Sequence, residues 1–245
     1  MASAGIGHRV EGFHAVVAAV AAGRVSTLHV ESGRMDGAGY EELTAAAAAW
    51  GAVVDVVADV RPLAETTAPQ GVVADAVPIP ALSLAEAEGR ASPAALLVLD
   101  HLEDPRNVGA AARSCLAAGV PAIVTSTRRA APIGATAFKA AAGALEHVAV
   151  VEVSSIAKAL ERLRSDGVWL VGLSGQAEQS LFGLDLLTEP VAVVVGGEGS
   201  GLTRLVAERC DVLAKLPMVG PTESLNASVA TALAVYEIAR VRHLV

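Results

Sequence analysis

Residues 191–202 read Val191-Ala192-Val193-Val194-Val195-Gly196-Gly197-Glu198-Gly199-Ser200-Gly201-Leu202, an unbroken apolar run that empties into a glycine-rich turn. A strand with one wet face alternates apolar and polar residues. This run does not alternate, so it reads as a strand covered on both faces. The same kind of segment recurs at Ala94–Leu99, Ala122–Thr125, Val148–Val153, Val168–Leu173 and Val212–Leu216. Helical stretches stand between them: Asn107–Ala118, Ala135–Ala144, Ser154–Ser165 with Ser154 as its cap, and Thr203–Cys210; Ser224–Val241 closes the chain. Buried strands separated by helices predict an α/β fold with a parallel sheet covered on both sides. In such sheets ligands sit beyond the carboxyl ends of the strands, so the turns there are the places to search.

The part before this sheet is a smaller α/β pattern. Val10–Ala22 reads as a helix, Val25–Glu31 as a strand, Tyr40–Trp50 as an alanine-rich helix and Val53–Val57 as a strand. A short helix near Asp59–Glu65 and a strand at Gly71–Ala76 follow. Val77-Pro78-Ile79-Pro80 then forbids helix and interrupts any ladder, which predicts a boundary there. The expected organisation is a domain over 1–80, a linker over 81–92 with one helical turn, and a second domain over 93–245.

Composition narrows the function classes. Of 245 residues 53% are hydrophobic and 18% charged, a globular balance rather than a disordered one. The longest apolar runs, such as Ala15–Ala22, fall well short of the roughly 20 residues of a membrane span, and the first residues show no secretory pattern. A soluble cytoplasmic protein without membrane contact is expected. Cys115 and Cys210 make no paired spacing, and the six histidines show no HxxxH or HExxH, so neither a disulfide framework nor a metal centre is expected. The net charge of −8 argues against a surface that grips nucleic acid everywhere. Yet residues 105–145 carry Arg106, Arg113, Arg128, Arg129 and Lys139 and no acid, which marks a local anion-binding face.

Three turns can carry chemistry. In Asp104-Pro105-Arg106-Asn107-Val108-Gly109, Asn107 can cap the helix and leave its free N–H groups facing an anion, with Arg113 six residues further on. The turn at 196–202 has neither the lysine of a phosphate-binding P-loop nor GxGxxG spacing, and Glu198 stands among its glycines as a cap or an acceptor. The stretch Leu216-Pro217-Met218 leads through Gly220-Pro221-Thr222-Glu223 to Ser224-Leu225-Asn226-Ala227-Ser228, which gathers hydroxyl and amide groups at the start of the last helix. A hydrolase reading of Gly172-Leu173-Ser174-Gly175-Gln176 fails, because Gln176 stands where the nucleophile elbow needs glycine.

Taken together and in order, these turns resemble the three motifs of the SpoU branch of the SPOUT RNA methyltransferases. Phe13-His14 near the start and Phe138-Lys139 to Glu146 in the middle extend the resemblance over nearly the whole chain, and the branch it most resembles methylates a guanosine of bacterial 23S ribosomal RNA. The stretch 220–223 departs from the family's small polar run. The resemblance implies a deep trefoil knot in the C-terminal sheet, a small substrate-binding domain before it, and a homodimer whose sites are completed across the interface. It implies S-adenosylmethionine held at Leu173, Ser174, Gly196, Gly197, Gly201, Leu216, Met218 and Leu225, without metal. Arg113 is implied as the base. A guanidinium stays protonated to about pH 12 and above, so binding a phosphate or stabilising an oxyanion is an equal reading. Asn107, Glu198, Ser224 and Asn226 would complete the catalytic set, and Arg106, Arg128, Arg129 and Lys139 would meet RNA.

The expected function is 2′-O-methylation of a ribose in RNA, most simply ribosomal RNA. A transfer-RNA or resistance-type ribosomal RNA enzyme of the same branch shares all three motifs. A non-catalytic RNA-binding or ribosome-assembly factor on this fold would have no need for Arg113, Asn107, Glu198 and Asn226 together.

Overall fold

A computed structural model describes residues 5–222 and 224–243. The first sheet contains β1 (Arg9–Glu11), β2 (Val25–Glu31), β3 (Val53–Val57) and β4 (Val72–Ala76) in the order β1-β4-β2-β3. Only β2 and β3 run parallel. Helices α1 (Phe13–Ala21) and α2 (Tyr40–Ala49) accompany it. The helix expected from Val10 therefore begins three residues later. Gly12, at φ 85°, ends a short strand whose Val10 and Glu11 are fully buried, a break that apolar periodicity alone cannot reveal. The helix expected near Asp59–Glu65 is a single 3-10 turn over Arg61–Leu63. In the segment after the prolines, α3 (Leu84–Glu88) is fixed by a capping box between Ser83 and Glu86, and its Ala87 is buried against the second sheet.

The second sheet is entirely parallel. Its strands are β5 (Ala95–Asp100), β6 (Ala122–Ser126), β7 (Ala149–Val153), β8 (Trp169–Leu173), β9 (Gln179–Ser180), β10 (Val191–Gly196) and β11 (Val212–Lys215). Their order is β7-β6-β5-β10-β8-β11-β9, so the late β10 lies between β5 and β8. Helices α4 (Pro105–Ala117), α5 (Ala135–Ala141), α6 (Ile156–Ser165), α7 (Arg204–Ala207) and α8 (Ala227–His243) complete it. Leu97 and Leu99 of β5 join the core that contains Val108 and Ala111 of α4 and Val235 of α8; Leu96 and Val98 join a second core with Leu160 and Leu163 of α6. Successive residues enter opposite cores, which is why the strand sequences do not alternate. The first of these cores is continuous with that of the first sheet through Val10, Val16 and Leu28.

Several helix ends differ from expectation for local reasons. Asp104, not Asn107, caps α4, its carboxylate accepting from the Arg106 N–H at 2.8 Å. Ser155 rather than Ser154 caps α6. α5 stops at Ala141 because Ala142 and Gly143 both take positive φ. α8 begins at Ala227, so Ser224 lies in the preceding turn, and Glu223 is outside the described residues. The two-residue β9 has no sequence signal of its own. No helix among the described residues is long and apolar enough to cross a membrane.

Candidate functional site

From β5 the chain moves outward to β6 on one side of β10, and from β8 outward to β9 on the other; this reversal opens a crevice at the carboxyl ends of the strands. A pocket of about 800 Å³ occupies it. Leu173 and Ser174 enter from the turn after β8, and Gly196, Gly197 and Gly201 from the turn after β10. Leu216, Met218 and Leu225 enter from the turn after β11. All eight positions expected to hold a cofactor thus line one cavity. Gln176, the residue that breaks the hydrolase pattern, lines it as well, as do Ala207 and Ala230, which sequence reasoning passed over.

The glycine turn is folded tightly on itself. Gly201 N–H donates to Gly197 O at 3.0 Å, and a Cβ on Gly196 would sit 2.1 Å from the Gly201 carbonyl carbon and oxygen. Only glycine permits that approach. The turn is anchored from below by Asp100, a fully buried carboxylate that accepts from the Thr203 N–H at 2.7 Å and from His101 Nδ1 at 2.6 Å. Asp100 went unremarked in the sequence, where it is one acid at the end of an apolar run.

Side chains from all three turns meet at the pocket. Glu198 Oε1 accepts from Asn107 Nδ2 at 2.8 Å and from Asn226 Nδ2 at 2.5 Å. Asn226 Nδ2 also lies 3.2 Å from Asn107 Oδ1. The Asn226 oxygen accepts from the Ser228 N–H at 2.9 Å, capping α8. The Ser228 hydroxyl donates to the same oxygen. Glu198, Ser224 and Asn226 are exposed on the pocket lining, while Asn107 is buried behind Glu198. A carboxylate holding two amides through one oxygen leaves its second oxygen with capacity to accept.

Arg113 does not join this group. It is exposed, has no hydrogen-bond or ion-pair partner among the described residues, and lines a separate groove of about 330 Å³ with Ala18, Leu116, Gly143 and His147. Asn107 therefore does not orient it within one chain. Of the other basic residues, Arg128 and Arg129 project from the turn after β6 with no side-chain partner among the described residues. Arg106 is paired with Asp104, Nη2 to Oδ2 at 2.9 Å, and its guanidinium holds the Asp104 carboxyl below the usual carboxylate range. Lys139 donates to Ala68 O of the first unit. Cys115 is buried and its thiol is pushed well up; burial pushes Cys210 up to about 12. Both remain protonated thiols at neutral pH.

A crevice at a parallel-sheet switch point, walled by backbone and apolar side chains, with a carboxylate–amide cluster beside it, is the small-molecule site of an α/β protein. Residues 94–236 match the family model described as SpoU rRNA Methylase family, and residues 9–81 match one described as RNA 2'-O ribose methyltransferase substrate binding. The chain belongs to the SpoU rRNA methylase family. A 23S rRNA (guanosine-2'-O-)-methyltransferase RlmB from Xanthomonas campestris pv. campestris is 48% identical over 64% of this chain, and the match spans 61% of that relative. The protein of the same name from Ralstonia nicotianae is 40% identical over 96% of each chain. Among solved structures, an RNA 2'-O ribose methyltransferase superposes with a TM-score of 0.79 at 28% identity, over 97% of this chain and 89% of the other. The SpoU methyltransferase AviRb from Streptomyces viridochromogenes does so with a TM-score of 0.79 at 26% identity, over 96% and 89%.

Proposed function

We propose that this protein is an S-adenosylmethionine-dependent RNA 2′-O-methyltransferase whose substrate is a guanosine of 23S ribosomal RNA. The observation that carries the reading is the Asn107–Glu198–Asn226 cluster, which joins all three turns beside the 800 Å³ pocket. The near full-length relative named for that reaction supports the choice of RNA. The pocket suits the cofactor: its volume is that of small-molecule sites, Leu173, Leu216 and Leu225 offer apolar walls for a purine, and the tight glycine turn offers backbone groups. When bound, S-adenosylmethionine supplies a methyl group already activated on a sulfonium centre. The chain must then align a ribose 2′-oxygen in line with it and ease the loss of the hydroxyl proton. Glu198, held by two amides, accepts a hydrogen bond from the incoming ribose. Arg113, which has no ion-pair partner among the described residues, offers its guanidinium to the oxygen and stabilises it as the proton leaves to solvent.

The assignment extends to organisation. Residues 1–80 serve as the RNA-binding domain, 81–92 as the linker and 93–245 as the catalytic domain, in a cytoplasmic enzyme. The position of β10 between β5 and β8 supports a trefoil knot. A homodimer is supported by α8, which buries Ala234, Val235 and Ile238 in the core yet leaves Val229, Leu233 and Tyr236 exposed. Leu116 of α4 is exposed on the helix that packs beside it. Arg113 lies one turn before Leu116, which supports a reach across that face to a partner's pocket. The test is nuclease digestion and mass spectrometry of 23S and transfer RNA from a deletion strain. One missing 2′-O-methylguanosine in 23S RNA is expected; loss from transfer RNA, or no loss at all, overturns the reading.

A further inference from the structure

Arg24 sits between α1 and β2, and its side chain leaves the first unit. Nε and Nη2 donate to Oε2 and Oε1 of Glu146, each at 2.6 Å, with the two side chains only 11% and 2% exposed. Nη1 donates to Gly7 O at 2.8 Å and to Val77 O at 2.7 Å. The guanidinium carbon stands 5.5 Å from the centre of the Phe138 ring. Gly7 is where the chain enters β1, and Val77 is where it leaves β4. Glu146 closes the 3-10 turn Ala144–Glu146 after α5. One guanidinium thus ties the entry of β1 and the exit of β4, which lie together at one end of this antiparallel pair, to the second unit.

The backbone around it is shaped for close approach. A Cβ on Gly7 would lie 2.3 Å from the Phe138 ring, and one on Gly143 would lie 2.6 Å from the Ala18 Cβ. A buried ion pair adds little net stability over an apolar contact of the same size, but it tolerates one relative geometry, because any sliding leaves charge unpaired. An apolar seam here would hold the units together without fixing their angle. That angle matters to chemistry, since Ala18 of α1, from the first unit, and Arg113 of α4, from the second, line the same groove.

We propose that Arg24, paired with Glu146, is a positioning residue that fixes the first unit on the second and so sets the groove in which Arg113 meets RNA. Its catalytic consequence rests on the methyltransferase reading; its geometric claim does not. The test uses the full chain with Glu42→Cys and Lys158→Cys as spin-label sites, both exposed and one on each unit, in a Cys210→Ser background. Wild type is expected to give one narrow distance. Arg24→Met and Glu146→Gln should broaden it; Glu146→Gln leaves the Arg24 bonds to Gly7 and Val77 intact, so the first unit stays folded. In the same variants kcat on a 23S RNA fragment should fall roughly 10- to 100-fold, as small misplacements do. KM for RNA and cofactor affinity should hold. Unchanged distance widths in both variants, or broadened widths with unchanged kcat, overturn the proposal. A wild-type chain that transfers no methyl group counts against the methyltransferase reading, while the widths still decide whether the pair holds the units.

Discussion

Gly196→Ala tests whether the tight glycine turn builds the cofactor pocket. The added Cβ would lie 2.1 Å from the Gly201 carbonyl carbon and oxygen and 2.4 Å from the Leu202 nitrogen, against an ordinary contact of 3.4–4 Å. The opposing atoms are backbone, so no side chain can swing aside; the turn itself must open by about 1 Å. Overpacking of this kind costs about 1–3 kcal/mol, which in a chain of this size lowers Tm by roughly 2 to 12 °C. A ligand that needs the closed turn must restore it on binding, so the same energy weakens affinity by about 5- to 150-fold. Calorimetric titration with S-adenosylmethionine and a thermal melt read both quantities. Gly199→Ala is the control: it has positive φ, but nothing lies within 4 Å of its Cβ, so it carries backbone strain without the clash. Equal affinity for Gly196→Ala and wild type, or equal losses for both alanine variants, would refute the reasoning.

Arg113→Ala should reduce methyl transfer roughly 100- to 1,000-fold while leaving Tm and cofactor affinity in place, because the side chain is exposed and unpaired among the described residues. Near-wild-type turnover at saturating RNA would remove it from the mechanism. Reversing Arg128 and Arg129 to Glu should weaken RNA binding and flatten its salt dependence without touching cofactor affinity; an unchanged filter-binding curve places the RNA elsewhere. Glu237, bonded to Arg240 and to the Gly183 N–H, has its carboxyl held below the usual range by the guanidinium. Its folded value lies below the unfolded one, so its contribution is present above the ordinary carboxylate range and is lost as pH falls. Glu237→Gln should therefore lessen the decline of stability on acidification, and identical pH profiles would count against this.

The parallel sheet was legible because every central strand feeds two cores, and such burial erases the polar alternation a half-wet strand would show. The pocket was legible because its lining comes from turns whose residue types have local causes, glycines for close approach and Asn226 for a cap. What escaped is what depends on the third dimension. The apolar runs give no order, so the insertion of β10 between β5 and β8 could not be read from them. A row of five basic residues free of acid gave a fair charge count. It did not show that Arg106 is spent on Asp104 and Lys139 on Ala68 O, which leaves Arg113, Arg128 and Arg129. Arg24 and Glu146 are 122 residues apart, and nothing local to either announces the pair.

Helix α4 carries two site residues that one chain cannot bring together. Asn107 and Arg113 are six residues apart, which at about 100° per residue turns Arg113 about 240° away from Asn107. Asn107 accordingly reaches Glu198 at the pocket, and Arg113 reaches the groove beside Ala18 and His147. If both act on one ribose, the arginine must come from a second copy. Mixing two defective chains decides this. Protomers with Arg113→Ala and protomers with Asn226→Ala, unfolded and refolded together, form half heterodimers when pairing is random. With sites completed across the interface, each heterodimer holds one site with an intact pocket and an intact arginine, so about a quarter of wild-type turnover should return. With sites built within one chain, every site lacks one of the two residues and turnover stays at the level of the separate variants. That outcome, or a monomer by sedimentation at micromolar concentration, would place the reacting groups in a single chain and require Arg113 to swing across α4 to reach them.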